Sequence, residues 1–114
     1  MGVTVEHTRV GDGAQPTAGQ TVTIEYTGWV KDTSKPENKG FRFDRSKDHD
    51  GDFVTVIGKG RVIKGWDEGV VQMKVGGIAL LDISSDYGYG ARGFPDRIPP
   101  NSDLLFEVEL KDVK

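Results

Sequence analysis

Ile63-Lys64-Gly65-Trp66-Asp67-Glu68-Gly69-Val70-Val71-Gln72-Met73 is the stretch of this 114-residue chain whose apolar residues keep a helical period. Ile63, Trp66, Val70 and Met73 recur at spacings of three, four and three, which lines them along one helix face. Asp67 and Glu68 fall near the start, where the helix dipole favours negative charge, and Gly76-Gly77 supplies a stop. A helix of about two to three turns is not stable alone in water. It needs a surface to pack on, and the rest of the chain must provide one.

That surface reads as a sheet. Val3 and Val5 alternate with polar partners before the turn cluster Gly11-Asp12-Gly13. Val22, Ile24 and Tyr26 alternate with Thr23, Glu25 and Thr27. Phe41 to Asp44 and Phe53 to Ile57 read as strand pieces separated by the polar turn Lys47 to Asp52. Ala79, Leu81 and Ile83 form another alternating run, and Leu104, Phe106, Val108 and Leu110 the clearest one. Asp32 to Gly40 is polar and rich in breakers, hence a loop. With no βαβ alternation, the expected class is α+β: five to six antiparallel strands wrapped on one short amphipathic helix. The length predicts one domain over residues 1–114.

Ser84 to Ser102 is too long for a connector. Structureless loops beyond about 12–15 residues in compact domains are binding loops or disordered. Two tyrosines, a phenylalanine and three prolines argue against disorder, so this segment is a candidate functional flap.

Composition removes several chemistries. Fifteen basic and eighteen acidic residues give a net charge of −3, unlike a nucleic-acid clamp. There are no cysteines, which excludes disulfides, thiolate nucleophiles and Cys-ligated metal. No stretch is long and apolar enough to span a membrane, and the N-terminus does not read as a signal peptide. Gly88-Tyr-Gly90-Ala-Arg-Gly93 has dinucleotide-loop spacing, but Phe94-Pro95 follows where a helix must open. Asp48-His-Asp50-Gly51-Asp52 starts like a calcium loop, but Phe53 and Lys59 stand where glycine and the closing glutamate belong. It reads instead as a solvated acidic turn. Two histidines make a zinc cluster implausible, and no Gly-x-Ser-x-Gly elbow exists for a serine hydrolase. Paired carboxylates for glycoside chemistry stay open, although the acidic residues mostly sit at strand exteriors or in turns. An enzyme built this way would work without nucleophile or metal.

What remains is aromatic. Tyr26, Phe43, Phe53, Trp66, Tyr89 and Phe106 come from separate segments, and each alone suits a small core. A buried tyrosine needs a partner for its hydroxyl, so Tyr26 and Tyr89 hint at a polar handle beside apolar surface. Asp44 is either paired with Tyr26, paired with Arg45, or only a turn residue. Residue patterns alone reach a compact α+β domain that could carry an aromatic-lined cleft.

Val62-Ile63-Lys64-Gly65-Trp66-Asp67-Glu68-Gly69-Val70 resembles the helix signature of the FKBP-type peptidyl-prolyl isomerases, the tacrolimus- and rapamycin-binding family. Glu25-Tyr26-Thr27-Gly28, Phe43-Asp44, Tyr87-Gly88-Tyr89-Gly90 and Ile98-Pro99-Pro100 through Leu105 to Leu110 agree with it in order. The resemblance implies a half-barrel whose active site lies between sheet and helix, with Trp66 as floor. It implies catalytic positions at Tyr26, Phe43, Asp44, Trp66, Tyr89 and Phe106. Substrate and macrolide contacts would come from Phe53, Arg61, Val62, Ile63, Phe94 and Ile98. Tyr89 and the Ile63 backbone N–H would bond ligand carbonyls, Asp44 would accept a ligand hydroxyl, and Arg61 would contribute through its backbone carbonyl.

Implied partners are proline-containing peptides and proteins, tacrolimus and rapamycin, and drug-dependent calcineurin or TOR kinase. Nucleic acid, membrane, metal and cofactor are not implied. A cytoplasmic monomer with nuclear access is the expectation. Phe94, Arg97 and His49 depart from the residues of the best-known members, on the surface that meets calcineurin. The loop from Thr33 to Lys39 is longer than the family's usual turn. The alternative function is a non-catalytic module that holds proline-containing partners or macrolides in the same cleft.

Overall fold

The computed structural model describes residues 2–114. Its strands are β1 (Val3–Arg9), β2 (Thr21–Lys31), β3 (Lys39–Arg45), β4 (Phe53–Val56), β5 (Ile78–Ile83) and β6 (Leu104–Val113). The helix α1 (Lys64–Gly69) continues into a 3-10 turn at Val70–Gln72. The sheet order is β1-β5-β6-β2-β3, with β4 also paired to β2, and every pairing is antiparallel. This is the α+β arrangement that the alternating runs predict.

The central strand β2 shows why one face is buried. Val22, Ile24 and Tyr26 point inward beside the buried Val108 and Leu110 of β6, while Thr23 and Glu25 point away. Its other edge is shared by two strands in succession. β4 pairs with residues Thr21 to Ile24, and β3 with residues Thr27 to Lys31. Between them, at Tyr26, no strand supplies a partner. The buried Ser46 fills the gap: its hydroxyl accepts from the Tyr26 N–H at 3.1 Å and donates to the Tyr26 carbonyl at 3.4 Å. Irregular register in β2–β3, around Trp29, and in β2–β6, near Ile24, is the kind of feature that bends a strand and curves its sheet.

The helix lies close on β5. A Cβ at Gly65 would stand 2.6 Å from Ile83, and one at Gly69 would stand 3.2 Å from Leu81. Glycine is a poor helix former, and here it is required by the close approach. Trp66 and Val70 are buried among β-sheet residues, as is Met73 just beyond the 3-10 turn.

Several local expectations shift. The helix ends at Gln72, before Gly76-Gly77, because Met73 turns extended to follow the sheet surface. Asp67 does more than sit in a helix dipole: its carboxylate accepts the N–H groups of Gly58 at 2.7 Å and Gly60 at 2.9 Å. β3 starts at Lys39, inside the expected loop, after a 3-10 turn at Pro36–Asn38 in which Glu37 and Asn38 are left-handed. In the acidic turn, Asp48 pairs with Arg45 and Asp52 with Lys111. Among the described residues no cluster of three or more metal-ligating side chains occurs.

Candidate active site

Where the helix crosses the inner face of the curved sheet, the aromatic side chains converge. Trp66 is the floor. Its ring centroid lies 4.9 Å from that of Tyr26, 5.0 Å from Phe106 and 5.8 Å from Phe53, all edge-on. Phe43 of β3 stands 5.4 Å from Phe106, almost perpendicular to it. Such edge-to-face pairs contribute beyond simple area burial and leave little rotational freedom. β2 must pass close behind two of these rings. A Cβ on Gly28 would stand 2.6 Å from Phe106 Cε1 and 2.8 Å from Phe43 Cζ.

The rings enclose a cavity of about 230 Å³, lined by Tyr26, Phe43, Asp44, Phe53, Arg61, Val62, Ile63, Trp66, Tyr89 and Phe106. Trp66 is 6% exposed, so it is both core and lining. At about 30 Å³ per water, the cavity has room for a five-membered heterocycle over the indole. Ten of the twelve expected site residues meet here. The other two, Phe94 and Ile98, line an adjoining chamber of about 300 Å³, together with Asp48, His49 and Arg97. Phe43, Asp44 and Tyr89 form the wall that the two chambers share. A wider groove of about 590 Å³ runs along the outside of the flap past Phe41, Arg92 and Pro95, away from the aromatic floor.

The polar groups gather at the rim. Tyr26 Oη donates to Asp44 Oδ2 at 2.8 Å, and the Arg45 N–H donates to Asp44 Oδ1 at 2.9 Å. His49 Nε2 lies 2.7 Å from the same Oδ1. Asp44 is therefore paired with Tyr26, as one of the alternatives foresaw, while the Arg45 side chain goes to Asp48. Burial, reinforced by the neighbouring Asp44, pushes the Tyr26 hydroxyl far above the ordinary phenol value. Burial, then Asp44, pushes up the Tyr89 hydroxyl as well. Both remain protonated donors at neutral pH.

Ile63 stands at the N-cap of α1, where a backbone N–H falls outside the helical ladder. The indole N–H of Trp66 is buried without a hydrogen-bond partner among the described residues.

The flap holds its own shape. A bridge between Phe94 and Ile98 makes its tip, and Tyr89 packs edge-on to Phe94 at 5.8 Å. Arg97 Nη1 donates to the carbonyl of Phe43 at 2.8 Å, tying flap to β3. Sequence patterns did not reveal this tie, the Ser46 plug, the close passage of Gly28, or the reach of His49 back to Asp44. The offset of five residues from Asp44 to His49 means nothing until the 3-10 turn at Ser46–His49 folds it round.

Residues 13–111 match the family described as FKBP-type peptidyl-prolyl cis-trans isomerase. FK506-binding protein 1B of Neurospora crassa is 60% identical over 114 residues, covering all of both chains. FK506-binding protein 1 of Gibberella zeae is 57% identical over 113 residues, covering 99% of each. The peptidyl-prolyl cis-trans isomerase Fkbp12 of Drosophila melanogaster is 50% identical over 115 residues, again covering both chains fully. An aromatic cavity between one short helix and a curved antiparallel sheet, with matches at this level along the whole length, places the chain in the FKBP-type peptidyl-prolyl cis-trans isomerase family.

Proposed function

We propose that the cavity over Trp66 accelerates rotation about X–Pro bonds by non-covalent stabilisation of the twisted amide. Uncatalysed rotation takes tens to hundreds of seconds, because it breaks amide resonance at a barrier of about 18–20 kcal/mol. The planar amide is strongly dipolar and well solvated by water. The twisted amide has lost much of that dipole, so a dry aromatic wall disfavours it less. That is differential binding of the transition state. An acceleration of 10⁵ corresponds to about 7 kcal/mol, and no covalent step is needed.

In this reading Trp66, Phe53 and Phe106 hold the pyrrolidine ring. Tyr26, Phe43 and Tyr89 flank the turning carbonyl. The Ile63 N–H and Tyr89 hydroxyl fix the peptide on either side, and Asp44 receives a ligand hydroxyl. Val62 and the Arg61 backbone complete the rim, with Phe94 and Ile98 on the flap. The same cavity binds tacrolimus and rapamycin, in keeping with the FK506-binding names of the relatives. Calcineurin would then meet the drug-bound face at Phe94, Arg97 and His49, with TOR kinase as the other drug-dependent partner. Residues 1–114 act, in this reading, as one domain and as a cytoplasmic monomer.

The convergence of Tyr26, Phe53, Trp66 and Phe106 around one ring-sized cavity carries the proposal. A proline-limited refolding assay with and without rapamycin tests it. Acceleration abolished by the macrolide supports the isomerase mechanism in this cavity. Tight macrolide binding without acceleration supports the non-catalytic module, and acceleration indifferent to a bound macrolide places catalysis elsewhere.

A further inference from the structure

His49 ends the 3-10 turn after β3, and its side chain is 64% exposed, yet Nε2 lies 2.7 Å from Asp44 Oδ1. A carboxylate oxygen only accepts, so this contact is a hydrogen bond only while Nε2 carries a proton. The imidazolium always satisfies that, with the strength of a charge-assisted bond. Of the two neutral tautomers, one keeps a weaker bond and the other turns a lone pair on the carboxylate. Resting on the isomerase reading above, we infer that His49 is a positioning residue for the reaction, acting through Asp44. Protonated, it pins the carboxylate that holds the Tyr26 hydroxyl; losing its charge, it loosens that side of the cleft.

The surroundings leave Asp44 as the anion that His49 meets directly. On its own turn, Asp48 is engaged by Arg45 at 2.9 Å, with Arg42 of β3 and the His49 charge itself also acting on that carboxylate without a direct contact. From the flap, Tyr89 and Arg97 line the same chamber, and Arg97 is tied to the Phe43 carbonyl. From β2, Tyr26 reaches His49 only through Asp44. The path is therefore His49, Asp44, Tyr26 and then the Trp66 ring at 4.9 Å. Imidazole is the side chain whose ordinary charge change falls between about pH 5 and 8, which sets the pH range of the test.

The test is kcat/KM for an X–Pro peptide lacking titratable side chains, followed from about pH 5.5 to about pH 8.5. The wild type declines about two- to fivefold with rising pH, the scale of a partly exposed ion pair. His49→Arg, a permanent cation, stays flat near the acid-side value, and His49→Gln stays flat near the alkaline value. His7→Gln, on β1 at the far end of the sheet order from β3, keeps the wild-type slope. An unchanged slope in His49→Gln overturns the inference while leaving the isomerase intact. Absence of isomerisation at every pH strikes instead at the isomerase reading. In that event the Tyr26 ring resonances decide: they follow the His49 titration in wild type and not in His49→Gln. Resonances blind to that titration overturn the coupling independently of catalysis.

Discussion

Tyr26 joins the polar rim of the cleft to its floor: its hydroxyl donates to Asp44 Oδ2 at 2.8 Å while its ring stands edge-on to Trp66 at 4.9 Å. Tyr26→Phe keeps the ring and deletes the tie. The expected stability loss is about 1 kcal/mol, the size of one hydrogen bond. The expected loss in kcat/KM is about fivefold, read in a peptide isomerisation assay. The raised phenol value fixes a pH dependence too. Above about pH 10 an unfolded chain releases the Tyr26 proton while the folded one retains it, so rising pH favours unfolding. Thermal melts should fall less steeply with alkaline pH in Tyr26→Phe than in wild type. Parallel curves would contradict the placement of this hydroxyl.

Gly28 decides how closely β2 passes behind the site. Its missing Cβ leaves space that Phe106 and Phe43 occupy. Gly28→Ala forces both rings to move, with an expected destabilisation of about 1–3 kcal/mol for overpacking. Because those rings wall the cavity, activity should drop beyond the loss of folded protein. Denaturant titration together with kcat/KM per folded molecule checks this, and full activity per folded molecule would refute it.

Trp66 contributes volume and an indole N–H without a partner among the described residues. Trp66→Ala should lose about 3–5 kcal/mol as a buried aromatic truncation. Trp66→Phe removes volume but also removes a buried donor whose desolvation costs about 1–3 kcal/mol. The two effects oppose, so the phenylalanine variant should melt within a few degrees of wild type. A loss in Trp66→Phe as large as in Trp66→Ala would mean that the N–H is satisfied after all.

Periodicity made the architecture readable, because burial of one face imposes a period of two on every strand and of about 3.6 on the helix. Ile63, Trp66 and Val70 do share the buried side, and β2 and β6 alternate as their residues suggest. Element ends were less readable. Gly76-Gly77 suggested the helix stop, but the sheet surface turns the chain extended at Met73. The aromatic lining was readable once the family resemblance joined separate segments, whereas its polar fastenings were not. Asp44 had three open alternatives, and the choice was made by a turn that brings His49 within reach and sends Arg45 to Asp48. Ser46 plugging the gap at Tyr26, and Arg97 reaching Phe43 across 54 positions, are side-chain-to-backbone contacts with no sequence period. Asp67 does sit in the first turn of the helix, and it also gathers the Gly58–Gly60 loop, which the sequence did not show.

The most direct measurement is kcat/KM of Phe43→Ala on an X–Pro peptide, expressed per folded molecule, with Phe43→Leu measured beside it in case alanine unfolds the chain. Phe43 makes the apolar wall beside the turning carbonyl and touches Phe106 at 5.4 Å. Opening that wall to water should lower kcat/KM by about tenfold or more in Phe43→Ala, with Phe43→Leu falling between it and wild type. Undiminished isomerisation by folded Phe43→Ala would contradict catalysis by a dry aromatic cavity.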